Sequence, residues 1–421
     1  MKTTTTAGLT RRKFLASGTA AAATASVLPV LHPRRARGAT PPVRIGVLTD
    51  MSGPYAEDSG QGSVVSAQLA IEDFAKEHPE LKVDLISADM QGKPDVAAAI
   101  ASAWYDRDGI DVIVDLPVSS AALAVASIAR EKNKVAILNA GTSDLSGKAC
   151  SPNHIQWAFD TYSLAASTGR AVVAEGGDSW YFVQANYAFG ASLVEDATGV
   201  VKDGGGKIVG TVKYPFPETT DFSSFLLQAQ SSGAKVIAFA SAGADTANLV
   251  KQAREFGVAS GGTRLAALLC FIPQVHAIGL AGAQGLMLTE AFYWDMNDAT
   301  RAFSARFSPQ FHGNMPCTIQ VGCYSGVLHY LKAVSAMGVD AARADGAAAV
   351  AKMKEIPTED SVFGRGRVRE DGRKIHDMHL FQVKAPSESK QPWDYFRLVR
   401  TTPGEQAYRP LAAGHCPMVR T

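Results

Sequence analysis

From residue 43 the chain alternates between short apolar runs and longer stretches whose apolar positions recur every three to four residues. The runs at 43–49, 81–88, 111–116 and 135–138 read as strands, "DVIVDL" and "VAIL" among them. The stretches at 61–77, 94–107 and 119–132 read as helices, with Ala-rich faces such as "SAALAVASIAREKN". Continuously apolar strands suit a sheet covered on both faces, and strand–helix alternation predicts parallel pairing with right-handed crossovers. The pattern then restarts. Helix 162–176 leads to strand "SWYFVQ", helix 190–203, the turn Gly204-Gly205-Gly206 and strand 207–213. Helix 221–232, strand "AKVIAFA", helix 244–257 and strand "TRLAALLC" follow. Two doubly wound α/β units are expected.

After residue 285 the character changes. "GLMLTEAFYWD" reads as a strand passing into a loop, and helices are expected near 298–312, 318–337 and 345–355. "GRGRVREDGRKIHDMHLFQVK" and "WDYFRLVR" read as antiparallel strands with a turn at Asp371-Gly372. The helices are expected to return to the first unit and the final strands to the second. The chain would then cross between the units three times, near 157–161, 285–290 and 360–366.

Charge and cysteine content narrow the function. With 41 basic and 40 acidic residues nothing calls for nucleic acid, and a 46% hydrophobic content supports two cores. Ahead of the first strand, Thr10-Arg11-Arg12-Lys13-Phe14-Leu15 precedes an Ala-rich run to about Leu31, interrupted by Pro29. This has the form of a twin-arginine export signal, cut near Ala36-Arg37-Gly38, and is too short and mild for a membrane span. The region has no cysteine, so no lipid anchor is expected, and the mature protein should be soluble in the periplasm. Five cysteines there leave at least one unpaired. Cys270 and Cys323 lie in apolar settings expected to be buried thiols. Cys150 and Cys416 lie in proline-flanked loops and are the expected disulfide; Cys317 stays open.

The stretch "VRIGVLTDMSGPYAEDSGQG" has the order strand, glycine-containing loop, helix, which often holds an anion on a helix N-terminus. Gly53, Gly60 and Gly62 fit neither a dinucleotide fingerprint nor a P-loop. Extended to "IGVLTDMSGPYAEDSGQGSVVSAQLAIED", and joined by "VSSAALAVASIAREKNKVAILNAGTSDL", "NYAFGASLVEDATGVVKDGGGKIVG", "DFSSFLLQAQSSGAKVIAFASAGADTANLVKQAREFG" and "AQGLMLTEAFYW", it resembles the periplasmic solute-binding proteins of branched-chain amino acid type ABC importers. The resemblance covers nearly all of the mature chain in the right order. It implies the type I fold of that group, two α/β lobes on a three-stranded hinge that close over one small ligand. The implied division is 1–38 signal peptide, 39–158 with 288–362 as lobe 1, 159–287 with 363–400 as lobe 2, and 401–421 as a C-terminal tail. The implied partners are a small carboxylate and membrane permease subunits, for a monomer with no cofactor and no nucleic acid.

By motif the resemblance places the carboxylate on Ser119, Ala140 and Thr142, with Ser120 and Gly141 as neighbours. Tyr55 would cover the mouth, and Phe189, with Tyr187, would supply rings from the second lobe. Each position has a plainer alternative: Ser119 as a helix cap, Thr142 as a turn former, Phe189 as core and Tyr55 as a turn aromatic. Amino-acid-binding members supply an acid from the loop here written "RLAALLCFIPQ", where this chain has Leu268, Leu269, Cys270 and Phe271. Burying an ammonium without a partner costs several kcal/mol. With Tyr55, Tyr187, Phe189, Phe271 and either Tyr293 or Trp294 as cleft candidates, an aromatic or apolar carboxylate is favoured. Glu290, at the second crossing, could still pair an ammonium, which keeps amino acids as the alternative. An exported oxidoreductase is weaker still. His376 and His379 fall in a strand with side chains on opposite faces, and no nucleophile elbow, Walker motif or dinucleotide glycine set is present.

Overall fold

The computed structural model describes residues 41–259 and 261–420. The export signal expected at 1–38 lies outside the described residues. The first half runs β1 (Val43–Thr49), α1 (Gly60–Glu77), β2 (Val83–Asp89), α2 (Pro94–Asp106), β3 (Val112–Asp115), α3 (Ser119–Glu131), β4 (Val135–Leu138) and β5 (His154–Gln156). Its five strands pair in parallel in the order β2-β1-β3-β4-β5. Ile45, Val47, Leu48 and all of β3 and β4 are buried, as a sheet sandwiched between helices requires.

The second half begins with α4 (Thr161–Leu164) and α5 (Arg170–Ala174), joined by a π turn over Ala165–Gly169. Then come β6 (Ser179–Ala185), α6 (Ala188–Asp203), β7 (Lys207–Tyr214), α7 (Ser223–Ser231), β8 (Val236–Ala240), α8 (Gly243–Glu255) and β9 (Arg264–Ala267). These strands are also parallel, in the order β7-β6-β8-β9. In both sheets the strand order reverses direction once, between β1 and β3 and between β6 and β8. Open α/β sheets bind ligands at the carboxyl ends of their strands beside such a reversal.

The remainder comprises α9 (Ile272–Ile278), α10 (Leu280–Ala283), β10 (Met287–Glu290), α11 (Asp298–Phe307), α12 (Thr318–Met337), α13 (Val339–Ala344), α14 (Gly346–Glu355), β11 (Thr358–Asp360), β12 (Gly364–Val368), β13 (Lys374–Ile375), β14 (Met378–Val383), β15 (Phe396–Thr402) and α15 (Gly404–Ala407). The long α12 is buried along most of its length and lies against α1 and β3, so the late helices do return to the first half. β10, β14 and β15 form an antiparallel sheet beside β9.

Two features differ from the reading of the sequence. β11, β12 and β13 form a separate antiparallel sheet, and Arg373 bridges Gln156 at the end of the first parallel sheet. Residues 363–400 therefore do not go as a block to the second half: β12 and β13 stay with the first, and β14 and β15 leave it. Strand pattern identifies strands but not their partners. The short β5 carries no strand signal in the sequence, because His154-Ile155-Gln156 has only one apolar residue.

Candidate functional site

The first reversal is lined by polar groups that the backbone holds rigidly. After β1, the Asp50 carboxylate accepts from Gly53 N at 3.0 Å and Tyr55 N at 3.1 Å, while Asp89 accepts from Met51 N at 2.9 Å and Ser52 Oγ at 2.6 Å. A Cβ on Gly53 would stand 2.5 Å from both Asp50 oxygens, so this closed loop requires glycine there. Burial raises the Asp50 pKa against these hydrogen bonds. After β3, Asp115 and Leu116 take φ of 85° and 54°, left-handed values that non-glycine residues seldom adopt. This bend delivers Ser119 to the first residue of α3, so Ser119 is not the cap; Val118 occupies that position.

Ser119 and Thr142 are fully buried and adjacent: Ser119 Oγ accepts from Thr142 N at 3.2 Å. Thr142 Oγ1 accepts from Asp144 N at 3.4 Å, capping the turn Ser143–Leu145. Each hydroxyl thus acts as an acceptor toward the protein and keeps its O–H hydrogen to give. The Gln156 side chain fixes the loop by donating to Ala140 O and Thr142 O, both at 2.9 Å. Ala140 is buried and Ser120 half-buried beside them.

The second reversal is lined by rings. Tyr187 precedes α6 and stacks on Phe216 at 4.0 Å between centroids, and Phe189 lies in the first turn of α6, 6.0 Å from Tyr187. Gly141 lets that ring approach the first half, since a Cβ there would be 2.6 Å from Phe189 and 2.8 Å from Phe159. Phe271 meets Phe159 edge-on at 5.5 Å. Behind the rings, Tyr214 donates to Asp245 in the first turn of α8 at 2.9 Å, and burial pushes Asp245 up to about 7.

The two reversals touch. The Tyr55 and Tyr187 hydroxyls are 2.5 Å apart, and Ala244 N donates to Pro54 O at 2.9 Å. Ser143 Oγ donates to Asp196 on α6 at 2.7 Å. Tyr55 is 1% exposed, so it is enclosed between the halves rather than set at an open mouth. One surface cavity lies between α1, α11 and α12 beside Asp73, Phe303 and Arg306.

Glu290 is buried and committed to the protein. It accepts from Ile272 N at 2.9 Å, Thr318 N at 3.3 Å and Thr318 Oγ1 at 3.0 Å, joining the first residues of α9 and α12. Burial raises its pKa well above the ordinary range. Tyr293 and Trp294 also lie apart from the reversals: both donate to Trp393 O, at 3.1 Å and 2.8 Å. Asp58 is the carboxylate that the sequence reading missed. It is fully buried, accepts from Gln274 Nε2 at 2.7 Å, and is pushed up to about 7 by burial. Its only signal in the sequence is an acid inside the glycine-rich loop after the first strand.

Cys150 and Cys416 form a disulfide with Cα atoms 5.6 Å apart, and Cys270, Cys317 and Cys323 are buried free thiols. His376 stacks on Phe363 at 4.5 Å while His379 pairs with Thr401, so the two histidines go separate ways. Among the described residues no three His, Cys, Asp or Glu side chains are grouped to hold a metal ion, and no helix is long and apolar enough to cross a membrane.

Known proteins resemble this chain over most of its length. A model of the periplasmic binding protein family matches residues 42–391. The crystal structure of a periplasmic binding protein from Burkholderia mallei is 43% identical, with a TM-score of 0.86 over 90% of this chain and 99% of that one. A branched chain amino acid ABC transporter periplasmic ligand-binding protein from Burkholderia xenovorans is 40% identical, with a TM-score of 0.77 over 89% and 99%. A solute binding protein of an ABC transporter from R. palustris, in complex with 4-hydroxybenzoate, shares the fold at 21% identity and a TM-score of 0.78 over 87% and 99%.

Proposed function

Because the chain belongs to the periplasmic binding protein family, and is a solute-binding component of an ABC transporter rather than an enzyme, we propose that it captures a carboxylate with an aromatic or apolar body and hands it to a membrane permease. The observation that carries this reading is the pair of buried hydroxyls on Ser119 and Thr142, each with a hydrogen to donate, beside Gly141, against which the Phe189 ring packs. Hydroxyls and first-turn amides of a helix bind a carboxylate through charge-assisted hydrogen bonds. Rings contribute about 25 cal/mol per Å² of apolar area covered, with ~0.5–1.5 kcal/mol more for each well-placed ring pair. The loop 268–271 offers no acid for an ammonium, and Glu290 is already used by two helix ends. The 4-hydroxybenzoate complex of the R. palustris protein supports the same class.

Branched-chain amino acids are the second reading, favoured by the name of the B. xenovorans relative. Calorimetry of benzoate, hydroxybenzoates and leucine against the purified protein separates the two. Leucine binding with no response to any aromatic acid would sink the first reading. On the same proposal the two lobes are the halves that carry the two parallel sheets, the protein acts as a monomer, and it reaches the periplasm by the twin-arginine route. Replacing Arg11 and Arg12 by lysine should then retain precursor in the cytoplasm; normal periplasmic accumulation would exclude that route.

A further inference from the structure

Asp58 lies one tight turn beyond Tyr55, its N–H donating to Tyr55 O at 3.0 Å, so the two side chains leave neighbouring points of the same loop. One carboxylate oxygen, Oδ1, accepts from Gln274 across from α9. The other, Oδ2, is buried with no hydrogen-bond partner. The donors around it are engaged. Cys317 gives its S–H to Asp58 O at 3.2 Å, Gln320 Nε2 donates to Glu57 O at 2.9 Å, and the Cys270 thiol points to Phe271 O. The second carboxylate of this corner, Glu290, has three donors of its own.

Buried carboxylate oxygens are almost always hydrogen-bonded, and one without a partner requires a reason. Asp58 Oδ2 has no donor from the protein. The group sits between the first-half loop, α9 and the start of α12, beside the contact that joins the two reversals. No protein group pairs with this oxygen, and it lies at the seam where the first-half loop meets α9.

We propose that Asp58 is a second polar anchor of the cleft, whose free carboxylate oxygen accepts a hydrogen bond from a donor group on the ligand. The donor is a phenolic hydroxyl or an ammonium, and the ligand's own carboxylate goes to Ser119 and Thr142. This rests on the carboxylate-binding reading above and refines it from aromatic acids in general to acids carrying a second, donating group.

The test is calorimetry on the mature protein and on Asp58→Asn, which places an amide in the position of the carboxylate and keeps an acceptor for Gln274. The probes are benzoate, the three hydroxybenzoate isomers, their methyl ethers and leucine. At least one hydroxybenzoate should bind about tenfold or more tightly than benzoate, while its methyl ether, an acceptor only, loses that advantage. In Asp58→Asn the advantage of the hydroxybenzoate over benzoate should fall to within about threefold. The ether comparison uses the unaltered protein and stands even if the variant fails to fold.

If benzoate binds but hydroxyl, ether and unsubstituted acids bind alike, the anchor is refuted and the aromatic reading survives. If only leucine binds, the aromatic reading fails. Asp58 is then upheld as the ammonium partner by loss of leucine binding in Asp58→Asn, and refuted by its retention. Binding of none of these probes to the unaltered protein overturns both.

Discussion

The two chain reversals have the same topology and opposite chemistry. At the end of β1 and β3 the chain presents hydroxyls, amides and carboxylates held by strained or glycine-dependent backbone, as at Gly53, Asp115 and Leu116. At the ends of β6 and β7 it presents Tyr187, Phe189 and Phe216, held by ring-on-ring packing. Polar recognition is directional and fails if donors drift by an ångström, so it belongs on the half whose loops are locked. Ring contact tolerates sliding, so it can belong to the half that arrives. On the proposed reading, one fold used twice divides head-group recognition from body recognition.

The ring half breaks most heavily. Phe189→Ala should cost about 3–5 kcal/mol of stability as a buried large-to-small change, read by urea unfolding, and should erase any preference for aromatic over aliphatic acids. A loss below ~1 kcal/mol would mean that the ring is not held as described.

Next is the seam between the halves. Gly243 has φ +57° and a Cβ there would lie 2.0 Å from Pro54 O. Gly243→Val should weaken ligand binding about a hundredfold, roughly 2.7 kcal/mol, by preventing the halves from meeting. Unchanged affinity would show that binding does not need this contact.

The polar half is expected to respond through single hydroxyls. Ser119→Ala or Thr142→Ala should lower affinity by roughly ten- to a hundredfold, with circular dichroism unchanged in Thr142→Ala. Intact binding in both variants would move the carboxylate elsewhere.

The smallest effect is electrostatic. Asp245 is raised to about 7 by burial, so between about pH 4 and pH 7 the native state holds a proton that the unfolded chain has released. Its contribution is complete below that window and is lost as pH rises through it. Buried His154 and His329, both lowered to about 4, act in the opposite direction over nearly the same range. The diagnostic is therefore the difference between Asp245→Asn and the unaltered protein. The variant should gain relative stability by roughly 1–3 kcal/mol from pH 4 to pH 7. A flat difference would remove Asp245 from the account.

Periodicity predicted the two alternating halves well because the central strands, β3, β4, β6 and β8 among them, are buried on both faces while the helices bury one. β4 and α12 fall at the residues expected, 135–138 and 318–337. What periodicity lacks is pairing. The strands near 364–383 read as one antiparallel group, yet Arg373 bridges to Gln156 while Met378–Val383 joins β10. The candidate site shows the same limit. Tyr55, Phe189 and Gly141 were legible as loop residues at strand ends, but not that Gly141 is small to admit the Phe189 ring. Glu290 was legible as an acid near a crossing, and only packing reveals that two helix ends already use it. Asp58 and Asp245 gave little warning, because acids in glycine-rich loops and in the first turns of helices are commonplace.

The C-terminal tail acts as a leash of fixed length. Arg409 grips Asp196 on α6 in the second half, and the disulfide of Cys416 to Cys150 ties the chain to the first. Seven residue steps separate Arg409 from Cys416, and fully extended chain of that length reaches about 25 Å at most. While the ion pair holds, any parting of the halves at this corner is confined to the slack in that short segment. Wider opening has to release Arg409 first, leaving the buried Asp196 carboxylate without its guanidinium. The limit of travel at this corner is thus set by a charge near the C-terminal disulfide.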